Sequence, residues 1–152
     1  MKKIKIICIG NISAGDDAAG HKIYEILRQK KSLGAEVFNL DTSSIDLINE
    51  LEGAKKVIIV DAVNSNISPG KIIKLTLEDI LKKDSKTVDS VHDFDLVHTL
   101  QLAEKIINNL PKIIIVGITI KNIHQDYDNI SEPVKESIEK AVKIIIEETK
   151  HS

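Results

Sequence analysis

Three segments of the chain place acidic or imidazole side chains where folded proteins often build sites. Asp16 and Asp17 lie in a glycine-bounded loop, residues 10–20, between an apolar β-branched run and a helical pattern. Asp61 ends another apolar run, and His92 precedes a later helical pattern. Two carboxylates and one imidazole suit a divalent transition metal with open coordination positions. We therefore predict a metal-contacting site made by Asp17, Asp61 and His92.

The loop at residues 10–20 is a poor candidate for phosphate binding. Its glycines are spaced G-x4-G-x4-G, which is neither the dinucleotide fingerprint nor the P-loop. Two aspartates at a helix N-terminus would also repel a phosphate group. One of the pair has a simpler interpretation as the helix N-cap, and Asp16 is favoured for that role.

The other candidates also have ordinary structural explanations. Asp61 could be a polar strand terminus, and His92 could be a surface or capping residue. His98 is expected to be a solvated helix residue, and Cys8, inside an apolar run, a buried and inert thiol. The remaining histidines have no acidic partner at a recognisable ligand spacing: His21, His124 and His151.

Composition limits the class of protein. The 152 residues are most simply one domain, 1–152, and the net charge of −2 is dispersed, which argues against a nucleic-acid partner. No apolar run approaches the roughly 20 residues of a membrane span, and the first residues do not form a signal peptide. One cysteine allows no intramolecular disulfide. We expect a cytoplasmic protein that acts as a monomer.

Hydrophobic periodicity predicts alternating strands and helices. Polar loops are expected over 81–89 and 117–130. Helices are predicted over 18–29, after the caps at 41–44 and 90–93, and from Ser131-Glu132-Pro133. Strands are predicted over 4–9, 35–40, 57–60, 71–77 and 113–117.

The short connection between two of these strands fixes their relative direction. Residues 62–70 contain a Pro-Gly turn and are too few for a parallel crossover. The strand over 71–77 is therefore predicted to be antiparallel, at an edge of an otherwise parallel sheet. The predicted fold is a three-layer α/β/α sandwich with a mostly parallel sheet of about five strands. In such a sheet Asp17, Asp61 and His92 would converge at the carboxyl edge.

These motifs together resemble the nickel–iron hydrogenase maturation endopeptidases. The matching residues are Ile9-Gly10-Asn11 through Gly15-Asp16-Asp17-Ala18-Ala19-Gly20, Val60-Asp61-Ala62, Pro69-Gly70 and Ser90-Val91-His92. Their order and spacing match along nearly the whole chain, and a single α/β/α domain is what the resemblance implies.

The resemblance also implies a function. Members of this family remove a short C-terminal extension from the precursor of the hydrogenase large subunit after nickel insertion. Their metal-contacting positions fall here on Asp17, Asp61 and His92. The nickel would belong to the precursor, and no tightly bound cofactor of this chain's own is expected. Leu40-Asp41-Thr42-Ser43 and the segment after Gly117 depart from the family pattern, which leaves the partner hydrogenase open.

Two other functions compete with this hypothesis. A phospho-receiver domain has a similar acidic pair and strand-end aspartate, with Lys121 as a possible lysine, but its acidic pair follows the strand directly and a helix follows its third strand. A nickel-dependent checkpoint or chaperone would keep the fold and the metal contacts without proteolysis. The sequence shows no nucleophile–base pair that would exclude this second alternative.

Overall fold

A computed structural model describes residues 2–10, 18–40, 45–64, 68–82, 94–120 and 130–151. These residues form a single-domain α/β fold around one five-stranded mixed sheet. Five helices within the described ranges cover the two faces of the sheet. The three-layer architecture predicted from the sequence is confirmed.

The sheet has the strand order β2-β1-β3-β5-β4. β1 pairs in parallel with β2 and β3, β3 pairs in parallel with β5, and β4 pairs antiparallel with β5. The predicted antiparallel edge strand is therefore confirmed. The strands are β1 (Ile4–Ile9), β2 (Glu36–Leu40), β3 (Lys56–Asn64), β4 (Ile72–Thr76) and β5 (Lys112–Ile120).

The helices divide between the two faces. On one face α1 and α5 pack over a cluster that includes Ile6, Ile58 and Val116; on the other, α2, α3 and α4 pack over Ile7 and Ile59. Both faces of the central strands are thus buried, which explains their near-continuous apolar sequences. The helices are α1 (Ala19–Arg28), α2 (Ile45–Leu51), α3 (Leu77–Leu81), α4 (Phe94–Ile106) and α5 (Glu132–Thr149).

Several element boundaries differ from the predictions. β3 continues through Asn64, so Asp61 does not end its strand, and β5 continues through Ile120 into the expected polar connection. The two strands extend because they pair with each other residue by residue as far as Asn64 and Ile120. The loop predicted over 81–89 was wrong at its first residue, because Leu81 is the last residue of the short helix α3. A reciprocal capping box between Thr76 and Asp79 starts that helix.

An ionic cluster fastens the end of α5 to the sheet. Lys56, which is 1% exposed, donates from Nζ to the Glu148 carboxylate at 2.9 Å and to the carbonyl oxygens of Glu148 and His151 at 2.8 and 2.9 Å. Lys74 pairs with the other carboxylate oxygen of Glu148. Lys56 thus adds a charged donor to two carbonyl groups, one in the last turn of α5 and one just beyond its end, where helices have too few backbone donors.

Among the described helices, none is long and apolar enough to cross a membrane.

Candidate functional site

Asp61 lies on the central strand of the sheet and is 3% exposed. Its Cα pairs with Ile9 of β1 on one side and with Gly117 of β5 on the other. Because strand side chains alternate, Asp61 faces the same side of the sheet as Ile59 and Val63, the side covered by α4. A buried carboxylate therefore lies where β1 ends, at the carboxyl edge predicted for the site.

α4 begins at this edge, on the same face as Asp61. Leu96 and Leu100, both fully buried, pack α4 against that face. Only residues 107–111 separate α4 from the start of β5, so the helix ends at the amino edge and Phe94 lies at the carboxyl edge. His92 precedes Phe94 by two residues and lies outside the described residues.

α1 begins against the end of β1. A Cβ at Gly20 would lie 2.3 Å from the carbonyl oxygen of Ile9, so only glycine allows this approach of helix and strand. Ala18 and Ala19 are buried on the face opposite Asp61. Asp17, which directly precedes Ala18, lies outside the described residues.

Of the three predicted metal-contacting residues, the structure describes Asp61 alone. No group of three His, Cys, Asp or Glu side chains within the described ranges could hold a metal ion. The convergence of Asp17 and His92 on Asp61 thus stays a prediction. Asp16, with its predicted capping role, likewise lies outside the described residues, as do Lys121 and His124.

Thr119 holds the connection that follows β3, and sequence reasoning did not single it out. It is fully buried, its hydroxyl donates to the carbonyl oxygen of Ser68 at 2.7 Å, and that hydroxyl accepts from the Lys71 amide at 2.8 Å. Its own carbonyl accepts from the amide of Gly70 at 2.8 Å. The Pro69-Gly70 pair was the available signal in the sequence, because it marked the turn that needs anchoring, and Gly70 has a positive φ of 85° there.

Two histidines have acidic partners that the sequence reasoning missed. His21 Nε2 lies 3.4 Å from Glu25 Oε1, and His151 Nε2 lies 3.2 Å from Glu147 Oε1. Both pairs join positions i and i+4; the first lies on α1, and the second links the last turn of α5 to a residue just beyond its end. His21 also contacts Asn39 of β2, with 3.3 Å between Nδ1 and Nδ2. His98 is exposed on α4, as expected.

Cys8 is buried in β1, as predicted, and burial raises the pKa of its thiol to about 12. A thiol with that pKa stays protonated at neutral pH, and the thiolate is the nucleophilic form. Cys8 is therefore unsuited to nucleophilic catalysis.

A buried carboxylate at the carboxyl edge of a mostly parallel sheet is typical of sites in α/β enzymes. Residues 20–148 match the family model described as hydrogenase maturation protease. This chain therefore belongs to the hydrogenase maturation protease family. That assignment rules out the phospho-receiver alternative, in agreement with the direct passage from β3 to the antiparallel β4.

Curated relatives align with most of this chain, and a solved structure shares its fold. Protein FrxA of Pyrococcus furiosus is 37% identical over 134 residues, covering 87% of this chain and 94% of the relative. A putative hydrogenase maturation protease of Methanocaldococcus jannaschii is 29% identical over 160 residues, covering 98% and 97%. The hydrogenase maturating endopeptidase HybD of E. coli shares the fold, with a TM-score of 0.77 at 24% identity, covering 97% of this chain and 92% of that one.

Proposed function

We propose that this protein is an endopeptidase that removes the C-terminal extension of a nickel–iron hydrogenase large-subunit precursor after nickel has been inserted. Membership of the maturation protease family supports the reaction class. The observation that carries the proposal is Asp61, a carboxylate at the carboxyl edge of the central strand and 3% exposed. An anionic oxygen donor at that position suits a metal ion presented by a substrate.

In this proposal the nickel is part of the substrate. The cysteines of the precursor hold the metal, and Asp17, Asp61 and His92 complete its coordination from the protease side. The start of α4 on the Asp61 face, two residues after His92, supports this arrangement. A precursor without nickel lacks the anchor, so cleavage depends on metal loading.

The reaction adds water across one peptide bond of the precursor. Anchoring the metal holds that bond in one orientation, and positioning of this kind can supply several kcal/mol of the barrier reduction, roughly 7–11 in favourable cases. The protonated state of Cys8 argues against a covalent thioester route through the one cysteine of the chain.

The proposal is tested by incubating the purified protein with a large-subunit precursor, nickel-loaded and nickel-free, and measuring intact masses. We expect loss of a C-terminal peptide from the loaded form only. Binding of the loaded precursor without any loss of mass would instead favour a non-proteolytic checkpoint. Equal loss from both forms would overturn the metal-anchor mechanism and leave the protease assignment in place.

A substitution at Asp61 tests the site itself. Asp61→Asn keeps the shape of the side chain and removes its charge, so we expect cleavage of the loaded precursor to fall by about 100-fold. Glu104→Gln, at an exposed position of α4, is the matched control and should cleave at the wild-type rate. Circular dichroism of both variants checks folding, and near-normal cleavage by a folded Asp61→Asn variant would rule Asp61 out.

A further inference from the structure

A groove runs along the solvent side of the helix layer formed by α1 and α5. It consists of two cavities of about 390 and 360 Å³ that share Ile26 of α1 and Glu139 of α5 in their linings. Because both cavities include these two residues, they form one continuous depression, here called the α1/α5 groove.

The floor of the α1/α5 groove is apolar. Ile138, Val142 and Ile146 follow one another at i, i+4 and i+8 along α5, and Ile26 faces them from α1. α1 has 10 residues and α5 has 18, so α1 is too short to cover the whole row of apolar side chains along α5. Ile26 and Ile146 remain only partly buried. Apolar side chains of a partner would therefore lose water by packing here.

The rim of the α1/α5 groove is basic, in a chain whose net charge is −2. The described lining residues carry an excess of two positive charges, with Lys22 and Glu25 on α1, Lys30 two residues beyond its end, and Lys135, Glu139 and Lys143 on α5. This local excess has the opposite sign to the whole molecule. It favours a partner segment of negative charge.

The positive charges of this rim are poorly compensated within the described residues. The carboxylate of Glu25 lies 3.4 Å from His21 and 3.8 Å from Arg28, so it is already engaged on its own helix. Lys135 pairs with Glu132 at 3.6 Å. No ion pair joins Lys22, Lys30 or Lys143 to another described residue, which leaves three ammonium groups for an acidic partner.

The groove leads away from the carboxyl edge, where Asp61 lies. Lys22 is in the first part of α1 and Ile130 precedes α5, so both lie at the end of the groove nearest that edge. Lys30 and Ile146 lie at the other end. Residues 135–146 of α5 span about 16 Å at 1.5 Å per residue, which is about three helical turns.

The geometry points to the α1/α5 groove as a docking site for an acidic amphipathic helical segment of about three turns, belonging to the protein substrate. This inference rests on the proposed function, because the segment is assigned to the large-subunit precursor. Its apolar side packs on the isoleucine-rich floor and its carboxylates contact the lysines of the rim. Docking at the groove brings the remainder of the precursor to the carboxyl edge.

Charge reversal in the groove tests the docking site. With Lys30→Glu and Lys143→Glu combined, we expect the KM for the nickel-loaded precursor to rise about tenfold, with kcat unchanged, because two ion pairs are replaced by repulsion. Lys31→Glu combined with Lys140→Glu makes the same change of charge at exposed positions outside the groove and should leave KM unchanged. Equal KM values for all three proteins, or equal increases in both variants, would overturn the inference.

Photocrosslinking separates this inference from the proposed function. A benzoylphenylalanine in place of Lys143 should crosslink to the precursor, and one in place of Lys140 should not. Crosslinking without cleavage would leave the docking site standing and reject the protease proposal. Cleavage without a crosslink at position 143, or a crosslink there to a second copy of this chain, would reject the docking site.

Discussion

The carboxylate of Glu148 lies between two lysines that come from two different strands, Lys56 of β3 and Lys74 of β4. Burial alone would raise the pKa of Glu148, but hydrogen bonds and charge from the two lysines outweigh it and lower that pKa from about 4.5 to about 2. The ionised carboxylate is therefore part of what holds the last helix to the sheet.

This shift makes stability depend on pH in a defined window. Because the folded pKa of Glu148 lies below its unfolded value, its contribution is complete above about pH 4.5 and is lost as the pH falls toward 2. The free energy of unfolding of the wild type should lose up to about 3 kcal/mol from this group across that window. Urea denaturation at a series of pH values measures it.

A pair of variants isolates the contribution of Glu148 in that measurement. Glu148→Gln should be less stable than the wild type at neutral pH and should show a weaker loss of stability on acidification. Glu136→Gln removes an exposed carboxylate from the same helix and should follow the wild-type curve. Parallel curves for Glu148→Gln and the wild type would contradict the assignment.

At the level of single residues, the sequence allowed a prediction only where the neighbouring residues in the chain carry the signal. Asp61 was singled out because it follows an apolar run, and its metal-contacting role stays a prediction; the burial of Cys8 was predicted because it lies inside such a run. Lys56 was missed, since a lysine at a strand start is expected to face solvent and its partner lies 92 positions away. Pairs of that separation leave no signal in one sequence.

The approach of α1 to β1 depends on the absence of a side chain at Gly20. In Gly20→Ala the new Cβ would lie 2.3 Å from the Ile9 carbonyl oxygen, so helix and strand must move apart. We expect a loss of about 2–3 kcal/mol in unfolding free energy. Gly34→Ala is the comparison: it has a positive φ of 71° but no neighbour within 4 Å, and should lose about 1 kcal/mol. Equal losses of unfolding free energy in the two variants would contradict a role for the close contact between Gly20 and Ile9.

The β3–β4 connection depends on the hydroxyl of Thr119. Thr119→Val removes a donor to Ser68 and an acceptor for the Lys71 amide while keeping the shape of the side chain. We expect a loss of about 2 kcal/mol, because the Ser68 carbonyl and the Lys71 amide each lose a partly buried hydrogen bond. Thr119→Ser keeps the hydroxyl and should stay within about 1 kcal/mol of the wild type. Equal stability of all three proteins by thermal or chemical denaturation would contradict this role.

At the level of elements, periodicity predicted the strands and the longer helices but not where each ended. Apolar runs gave the cores of β3 and β5, whereas their last residues are set by pairing with each other. Asp61 was predicted to end its strand, and Thr119 fell within the polar connection predicted over 117–130, yet both lie within strands. The five-residue helix α3 was missed because it contains too few residues to show a helical period.

At the scale of the whole molecule, the fold class and the topology could be predicted from the sequence because they follow from the lengths of the connections. The short passage from β3 to β4 predicted the antiparallel edge, and the helical crossovers predicted the parallel remainder. The α1/α5 groove could not be predicted from the sequence, since it forms between helices whose lining residues are more than 100 positions apart, such as Ile26 and Ile138. The contacts of Asp17 and His92 stay a prediction.

The strand order also constrains how the chain folds. β4 is made before β5, yet its partner in the sheet is β5, which inserts between β4 and β3. Until residues 112–120 are available, the apolar edge of β3 has no strand partner on that side and β4 is not attached to the sheet. During synthesis β1, β2 and β3 can pair first, whereas β4 can join the sheet only after β5 has been made. The interval before β5 arrives is therefore the stage at which an open strand edge is most exposed to aggregation.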